Sequence, residues 1–152
     1  MVTTIGFRAA PTDVRFAVFN GDDRSVVNIE ILRIPTAFSG PEGLKFIRSN
    51  ILDILREYEI AYAGIRTTEP SAQSIDLRRV QIEGVIQEAF ASSTLLGFYA
   101  GPIAIISRRL GIDRARFKPM VAGANDLNIG NWENMQPNAR EALLAAIGAE
   151  NV

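Results

Sequence analysis

The chain has 152 residues, of which 47% are hydrophobic and 22% charged, and its 16 basic and 17 acidic side chains give a net charge of −1. This length and composition predict a single globular domain over residues 1–152. Cysteine and histidine are both absent, which excludes disulfides, a thiolate nucleophile and the commonest general base and transition-metal ligand. Any bound metal would be a hard ion with oxygen ligands, such as magnesium.

The charge balance and the hydropathy pattern bound the cellular role. A net charge of −1 argues against a strongly basic nucleic-acid binder, although local basic patches remain compatible with it. The N-terminus has no basic region followed by an apolar run, so we expect no signal peptide. No stretch approaches the roughly 20 apolar residues that a membrane helix needs. We therefore expect a soluble, cytoplasmic protein.

The N-terminal third is predicted to form three antiparallel strands. The first begins over residues 3–8, where Ile5–Phe7 is apolar. The alternating pattern of Val14–Phe19 is typical of a half-buried strand. Asn20–Asp23 is a strong hairpin-turn signal before a third strand, which ends at Pro35 because proline cannot donate to a ladder.

Helices and short strands alternate over the rest of the chain. The predicted elements are a helix after the Ser39–Glu42 capping box, a strand over Ile60–Ile65, a helix from Ser74 or Asp76 to about Ala91, a strand over Leu95–Tyr99, a helix from Gly101–Pro102 to Gly111, a short helix within Asp113–Val121, a long loop over Ala122–Met135 and a last helix from Gln136–Pro137 to Gly148. Strands four and five each follow a helix, so they should pair in parallel through right-handed crossovers. The sequence therefore predicts an α/β fold with a five-stranded mixed sheet, three antiparallel strands followed by two parallel ones, and helices on both faces. This is the architecture of the ribonuclease H-like fold.

Five segments share the pattern of one known family. They are Ile5–Arg8 at the end of strand one, Ala63–Arg66 at the end of strand four, Val80–Ile86 in the following helix, Gly97–Pro102 from strand five into the next helix, and Asn138–Leu143 in the last helix. In this layout the chain resembles the RuvC-type Holliday junction resolvases, within the ribonuclease H-like superfamily, over nearly the whole domain.

The resemblance implies where a nuclease site would lie. In the family, acidic residues at the ends of strands one and four and on the last helix hold two magnesium ions. This chain has Arg8, Arg66 and Asn138 at three of those positions, and only Glu141 keeps a carboxylate. One acid cannot hold two metal ions, so the resemblance implies a RuvC-like scaffold that is an inactive nuclease, without a metal or another cofactor.

A relocated acid set is the alternative. Glu69 lies three residues after Arg66 and could approach Glu141, with Asp76 or Asp13 as a further ligand. Such a set would make the protein a magnesium-dependent, structure-selective endonuclease. The two hypotheses differ in what lies beside Glu141, which is either further carboxylates or the arginines.

The arginines at the strand ends have two interpretations. Arg8 and Arg66, with Asn138, could bind a phosphate or a carboxylate. Alternatively, one of the arginines pairs with Glu141 or Glu69. The basic run at residues 108–118 could likewise follow a nucleic-acid backbone, although the net charge favours a solvated face. Its candidate nucleic-acid-binding residues are Arg108 and Arg109.

The preferred hypothesis is a binding or scaffold module rather than an enzyme. Its partner would be a protein, a second copy of the chain, or DNA or RNA. The resemblance implies dimerisation through the helix over about Asp76–Phe90, with Val80, Gly84 and Gln87 at the interface. Trp132, in the polar loop, is either an anchor on the core or an interface residue, and the sequence does not separate the two.

Overall fold

A computed structural model describes residues 2–152. The strands are β1 (Thr3–Ala9), β2 (Asp13–Asn20), β3 (Ser25–Arg33), β4 (Tyr62–Arg66) and β5 (Gly97–Gly101). The α-helices are α1 (Gly40–Glu57), α2 (Leu77–Ala91), α3 (Ile103–Leu110), α4 (Phe117–Val121) and α5 (Pro137–Gly148), with 3-10 turns at Arg114–Arg116, Trp132–Asn134 and Ala149–Asn151. None of the helices within residues 2–152 is long and apolar enough to cross a membrane.

The strands form a five-stranded sheet in the order β3-β2-β1-β4-β5. β2 pairs antiparallel with both β1 and β3, whereas β4 pairs in parallel with both β1 and β5. β1 is therefore the central strand, with an antiparallel neighbour on one side and a parallel neighbour on the other. The predicted mixed sheet and its strand directions are confirmed.

Two apolar layers cover the opposite faces of the sheet. Because side chains alternate along a strand, Ile5 and Phe7 of β1 lie together on the face that α1 and α2 cover. The ring of Phe7 lies 5.6 Å from that of Phe90 in α2. The other face packs against α3, α4 and α5, and every residue of α5 from Ala139 to Gly148 is buried. Helices on both faces are thus also confirmed.

The helix ends follow the predicted capping chemistry, with small shifts. Ser39 and Glu42 form the capping box, in which the backbone N–H of Ser39 donates to Glu42 Oε1 at 2.8 Å. Asp76, not Ser74, caps α2. The segment predicted as one helix within Asp113–Val121 is a 3-10 turn followed by α4, because Pro119 has no N–H and fits only the first turn of a helix.

Two glycines set how closely α5 approaches the sheet. Gly6 of β1 and Gly64 of β4 are direct partners in the parallel pair. A Cβ atom on Gly6 would lie 1.9 Å from the carbonyl oxygen of Ala142, and one on Gly64 would lie 2.8 Å from that of Ala145. The helix backbone therefore rests directly on the two strands, and this contact carries Glu141 to the strand ends.

Trp132 anchors the long loop before α5 to the core. It is 1% exposed, and its indole N–H donates to the carbonyl oxygen of Met120 at 3.1 Å. Arg140 of α5 lies 5.9 Å from the indole ring and donates to the carbonyl oxygens of Trp132 and Glu133. Of the two roles considered for Trp132, the structure shows the anchor.

Replacing Gly6 by alanine should destabilise the protein, because the new methyl group would overlap the backbone of α5. Overpacking of this kind costs about 1–3 kcal/mol or more, which urea denaturation would measure as a fall in the free energy of unfolding. Gly130→Ala is the matched control, since a Cβ atom there meets nothing within 4 Å, and its expected effect is below about 0.5 kcal/mol. Equal stability of the two variants would contradict direct contact between α5 and β1.

Candidate anion site at the strand ends

One carboxylate joins the ends of the two central parallel strands. Arg8 and Arg66 are direct partners in the pairing of β1 and β4, two residues beyond the glycines, so their side chains leave the sheet on the same face toward α5. The Nε of Arg8 donates to Oε2 of Glu141 at 2.9 Å, and the Nε of Arg66 donates to Oε1 at 3.1 Å. The prediction that one arginine pairs with Glu141 therefore understates the contact, since both arginines do.

This bridge is sheltered from water. The side chains of Arg8, Glu141 and Arg66 are 13%, 11% and 7% exposed. Burial lowers the pKa of the Arg66 guanidinium, the charge of Glu141 opposes that change and the charge of Arg8 adds to it. Losing the carboxylate would leave two poorly solvated positive charges side by side, so Glu141 is the counterion that keeps both arginines in place.

Glu69 lies near a different nitrogen of Arg66 from the one that donates to Glu141. Its Oε2 accepts the backbone N–H of Ile103, at the start of α3, at 3.1 Å. The same oxygen lies 3.6 Å from Nη1 of Arg66, and Oε1 lies 3.6 Å from Nη2 of Arg114. The start of a helix favours a negative charge, so Glu69 tethers the loop after β4 to α3.

A third carboxylate, which sequence reasoning missed, fixes the same loop. Glu83 of α2 is 4% exposed and accepts hydrogen bonds from the N–H of Thr68 at 3.1 Å, the hydroxyl of Thr68 at 2.9 Å and Nε of Arg79 at 2.9 Å. Burial lowers the pKa of Arg79, and the nearby charge of Arg8 adds to the effect. The sequence did offer one signal for Glu83, since it directly follows Ile82, which lies on the inward side of the predicted helix.

Arginines outnumber carboxylates at this end of the sheet. Arg15 of β2 pairs directly with Arg8. Within residues 2–152, the buried Nε of Arg15 and Nη2 of Arg79 have no hydrogen-bond acceptor. The group comprises Arg8, Arg15, Arg66, Arg79 and Arg114 with Glu69, Glu83 and Glu141. The site is therefore cationic, although the chain as a whole carries −1.

These residues do not fit a pair of magnesium ions. Magnesium requires oxygen ligands at about 2.0–2.1 Å, but both oxygens of Glu141 accept guanidinium N–H groups. Arg8 and Arg66 are not ligands, and their charges repel a cation. Among residues 2–152 no group of three or more acidic side chains is arranged to hold a metal.

The structure does not assemble the relocated acid set. Asp76 caps α2 by accepting the N–H of Arg79 at 2.9 Å. Asp13 begins β2, and Glu69 is engaged at the start of α3. Among residues 2–152, none of these acids belongs to a group of three or more that could hold a metal ion.

The remaining predicted anion-binding residues do not converge on Glu141. Asn138 is half-buried one turn before Glu141, and its side chain makes no hydrogen bond with the described residues, 2–152. Arg108 is exposed on α3. Nη1 of Arg109 donates to the carbonyl oxygen of Asn151 at 2.8 Å, so this arginine ties α3 to the C-terminal turn.

Two adjoining clefts give access to the site. One, of about 380 Å³, is lined by Arg66, Glu141 and Lys118, and the other, of about 390 Å³, by Glu69, Arg114 and Lys118. Lys118 is exposed and forms no ion pair with the described residues, 2–152. Lys118 lines both clefts. From the sequence it was recognised only as a member of the basic run at residues 108–118.

The predicted dimer residues share the outer face of α2. Val80 is 39% exposed, Gln87 is exposed, and a Cβ atom on Gly84 would meet nothing within 4 Å. Leu77, on the same stripe, is 76% exposed. Because Ile82 and Ile86 are buried on the inner side, α2 is apolar on both faces, and its outer face is available to a partner.

Comparison with known proteins identifies the fold through structure alone. No protein-family model matches the sequence, and no curated protein sequence does either. RuvC from Thermus thermophilus superposes with a TM-score of 0.75 at 15% identity, covering 97% of this chain and 92% of RuvC. The yeast mitochondrial Holliday junction resolvase Ydc2 superposes with a TM-score of 0.60 at 9% identity, covering 97% of this chain and 78% of Ydc2. The fowlpox virus Holliday junction resolvase gives 0.53 at 10% identity, with coverages of 98% and 95%. The chain therefore has the ribonuclease H-like fold of the RuvC-type Holliday junction resolvases.

Proposed function

We propose that this protein is a RuvC-like domain that binds nucleic acid and has no metal-dependent nuclease activity. The bridging of Glu141 by Arg8 and Arg66 is the observation that carries the proposal. In the sequence resemblance, these arginines stand at positions where the resolvases have acids. RuvC from Thermus thermophilus has also been solved in complex with a Holliday junction substrate, so a branched DNA is the ligand to test first.

The chemistry of the site supports binding without cleavage. Hydrolysis of a phosphodiester in this fold would use metal ions to activate water and to stabilise the leaving oxygen. The chain has no histidine or cysteine, and both oxygens of Glu141 accept arginine N–H groups. The carboxylate is thus engaged as a counterion rather than poised as a general base.

The cationic strand ends favour nucleic acid over a protein partner. Arginine and lysine contacts to phosphate supply most of the affinity of non-specific DNA binding. Lys118 and Arg114 are exposed on the clefts that lead to Arg66. A phosphate backbone lying across these clefts would meet positive charges in succession.

We also propose that two copies associate through the outer face of α2. Leu77, Val80 and Gly84 follow each other at intervals of three and four residues, which places them on one stripe of the helix. Gly84 presents no side chain, so a second helix backbone could approach closely there. Two facing stripes would bury leucine and valine side chains that water otherwise covers.

A four-way DNA junction should bind in the absence of divalent metal, with an affinity that falls as salt rises. Fluorescence anisotropy in EDTA measures the affinity, and electrophoresis with magnesium or manganese should show no cleavage. Lys118→Ala should weaken binding several-fold. It should also reduce by about one the slope of log affinity against log salt concentration. Lys45→Ala is its control, since Lys45 is exposed on α1, which covers the opposite face of the sheet.

Metal-dependent cleavage that Glu141→Gln abolishes would contradict the proposal. Absence of binding at low ionic strength would contradict the nucleic-acid role and leave a protein scaffold as the surviving hypothesis.

Replacing Glu141 by alanine should destabilise the fold, because two buried guanidinium groups would lose their shared counterion. Breaking a buried pair costs about 3–5 kcal/mol, measurable by chemical denaturation. Glu57→Ala, an exposed glutamate of α1, should change stability by less than about 0.5 kcal/mol. The combined change Arg8→Met, Arg66→Met and Glu141→Leu should recover most of the loss. An unchanged or increased stability of Glu141→Ala is what a strained catalytic acid would give, and it would contradict the counterion role.

Val80→Glu should convert a dimer to a monomer, because it places facing negative charges at the centre of the proposed interface. Sedimentation velocity at several concentrations measures the change. Val27→Glu is the control, since Val27 is 50% exposed on β3 at the far edge of the sheet. A wild-type chain that stays monomeric at high concentration would rule out self-association through α2.

A further inference from the structure

We infer that Arg8 and Arg66 form a metal-independent site for a phosphodiester group, which the Glu141 carboxylate closes in the free protein and a bound phosphate displaces. The inference rests on the proposed nucleic-acid function and adds which residues hold the phosphate and what competes with it. It follows from three features of the site, namely its geometry, its unmatched donors and the cleft beside it.

The two guanidinium groups already converge on one anion. Each donates through Nε to a different oxygen of Glu141, at 2.9 and 3.1 Å. Each is also held by its own backbone: Nη1 of Arg8 donates to the carbonyl oxygen of Ala9 at 3.1 Å, and Nη1 of Arg66 donates to that of Thr67. A phosphodiester presents two charged oxygens much as a carboxylate does. The arginines are therefore oriented for such a ligand before it arrives, which lowers the entropic cost of binding it.

Donors remain at the site after Glu141 is counted. Within residues 2–152, Nε of Arg15 and Nη2 of Arg79 are buried without an acceptor. Arg15 is the strand partner of Arg8 in the β1–β2 pair. Besides burial, the charges of Arg8 and Arg66 lower the pKa of Arg79, so Arg79 lies close to both. Buried donors are normally satisfied. The site therefore has more N–H donors than the Glu141 carboxylate satisfies, which favours an anionic ligand.

The cleft beside Arg66 provides the route for exchange. It is lined by Arg66, Glu141, Lys118, Phe117 and Pro137, among others, and has a volume of about 380 Å³. Lys118 is exposed at its edge and has no ion-pair partner in residues 2–152. A phosphate entering through the cleft would reach the arginines, and the displaced carboxylate would turn toward Lys118. The exchange replaces one anion by another, so the arginines never lose a counterion.

Competition with Glu141 predicts a gain of affinity when its charge is removed. Glu141→Gln keeps the size of the side chain but leaves the arginines without an internal anion. In EDTA, junction affinity should rise about tenfold, the effect of one additional charge-assisted hydrogen bond. Glu57→Gln removes the same charge from α1 on the opposite face and corrects for the general electrostatic effect. Arg66→Gln should weaken binding more than Arg56→Gln, and combined with Glu141→Gln it should cancel the gain.

Two further measurements keep the inference testable if the protein does not bind DNA or if the Glu141→Gln variant folds poorly. Inorganic phosphate should raise the melting temperature of Glu141→Gln more than that of the wild type, and chloride at the same ionic strength should not. Should Glu141→Gln not fold, the comparison of Arg66→Gln and Arg8→Gln with Arg56→Gln decides the question in the wild-type background.

The possible failures are distinguishable. Junction binding by the wild type, with no gain in Glu141→Gln beyond that in Glu57→Gln, would overturn this inference and leave the proposed function standing. Binding that EDTA abolishes would also overturn it. If no variant binds the junction, the nucleic-acid function fails, and a phosphate response of Glu141→Gln would then assign the site to a small phosphorylated ligand. Absence of both responses would overturn the site itself.

Discussion

The contact between α5 and the two paired glycines is the constraint on which the rest of the site depends. Gly6 and Gly64 lie side by side, and a Cβ atom on either would overlap atoms of the helix backbone. Without side chains there, α5 lies flat on the centre of the sheet. Glu141 then reaches the strand ends at the level of Arg8 and Arg66. The close approach of the two backbones thus determines how near Glu141 lies to Arg8 and Arg66.

This geometry also sets the charge of the site. At the strand ends and on α5, Arg8, Arg66 and Glu141 form one charged group. The single carboxylate offsets only part of the charge of the two arginines, so the group stays positive. The loop after β4 is secured in the same way, through Glu83 on Thr68 and Arg79. The glutamates of the chain thus offset part of the positive charge at this end of the sheet, and the site remains cationic.

Local patterns in the sequence predicted most of the fold, because strand alternation, capping residues and helical periodicity are local signals. The resemblance to the resolvases placed Arg8, Arg66 and Glu141 at one corner of the fold, and the structure brings these three side chains together. Two contacts of the site were not predictable, the strand pairing of Arg15 with Arg8 and the hydrogen bond from Thr68 to Glu83, because each joins residues from different elements. The hydrogen bond from Arg109 to the carbonyl oxygen of Asn151 was likewise not predictable, because it joins α3 to the C-terminal turn.

The central claim is that the strand-end site holds guanidinium groups in place of metal ions. Manganese binding followed by electron paramagnetic resonance tests it most directly, comparing the wild type with a variant that carries Arg8→Asp, Arg66→Glu and Asn138→Asp. We predict no saturable binding to the wild type and measurable binding to the variant that carries the three acids, provided circular dichroism shows that this variant is folded. Saturable manganese binding by the wild-type chain that Glu141→Gln removes would contradict it.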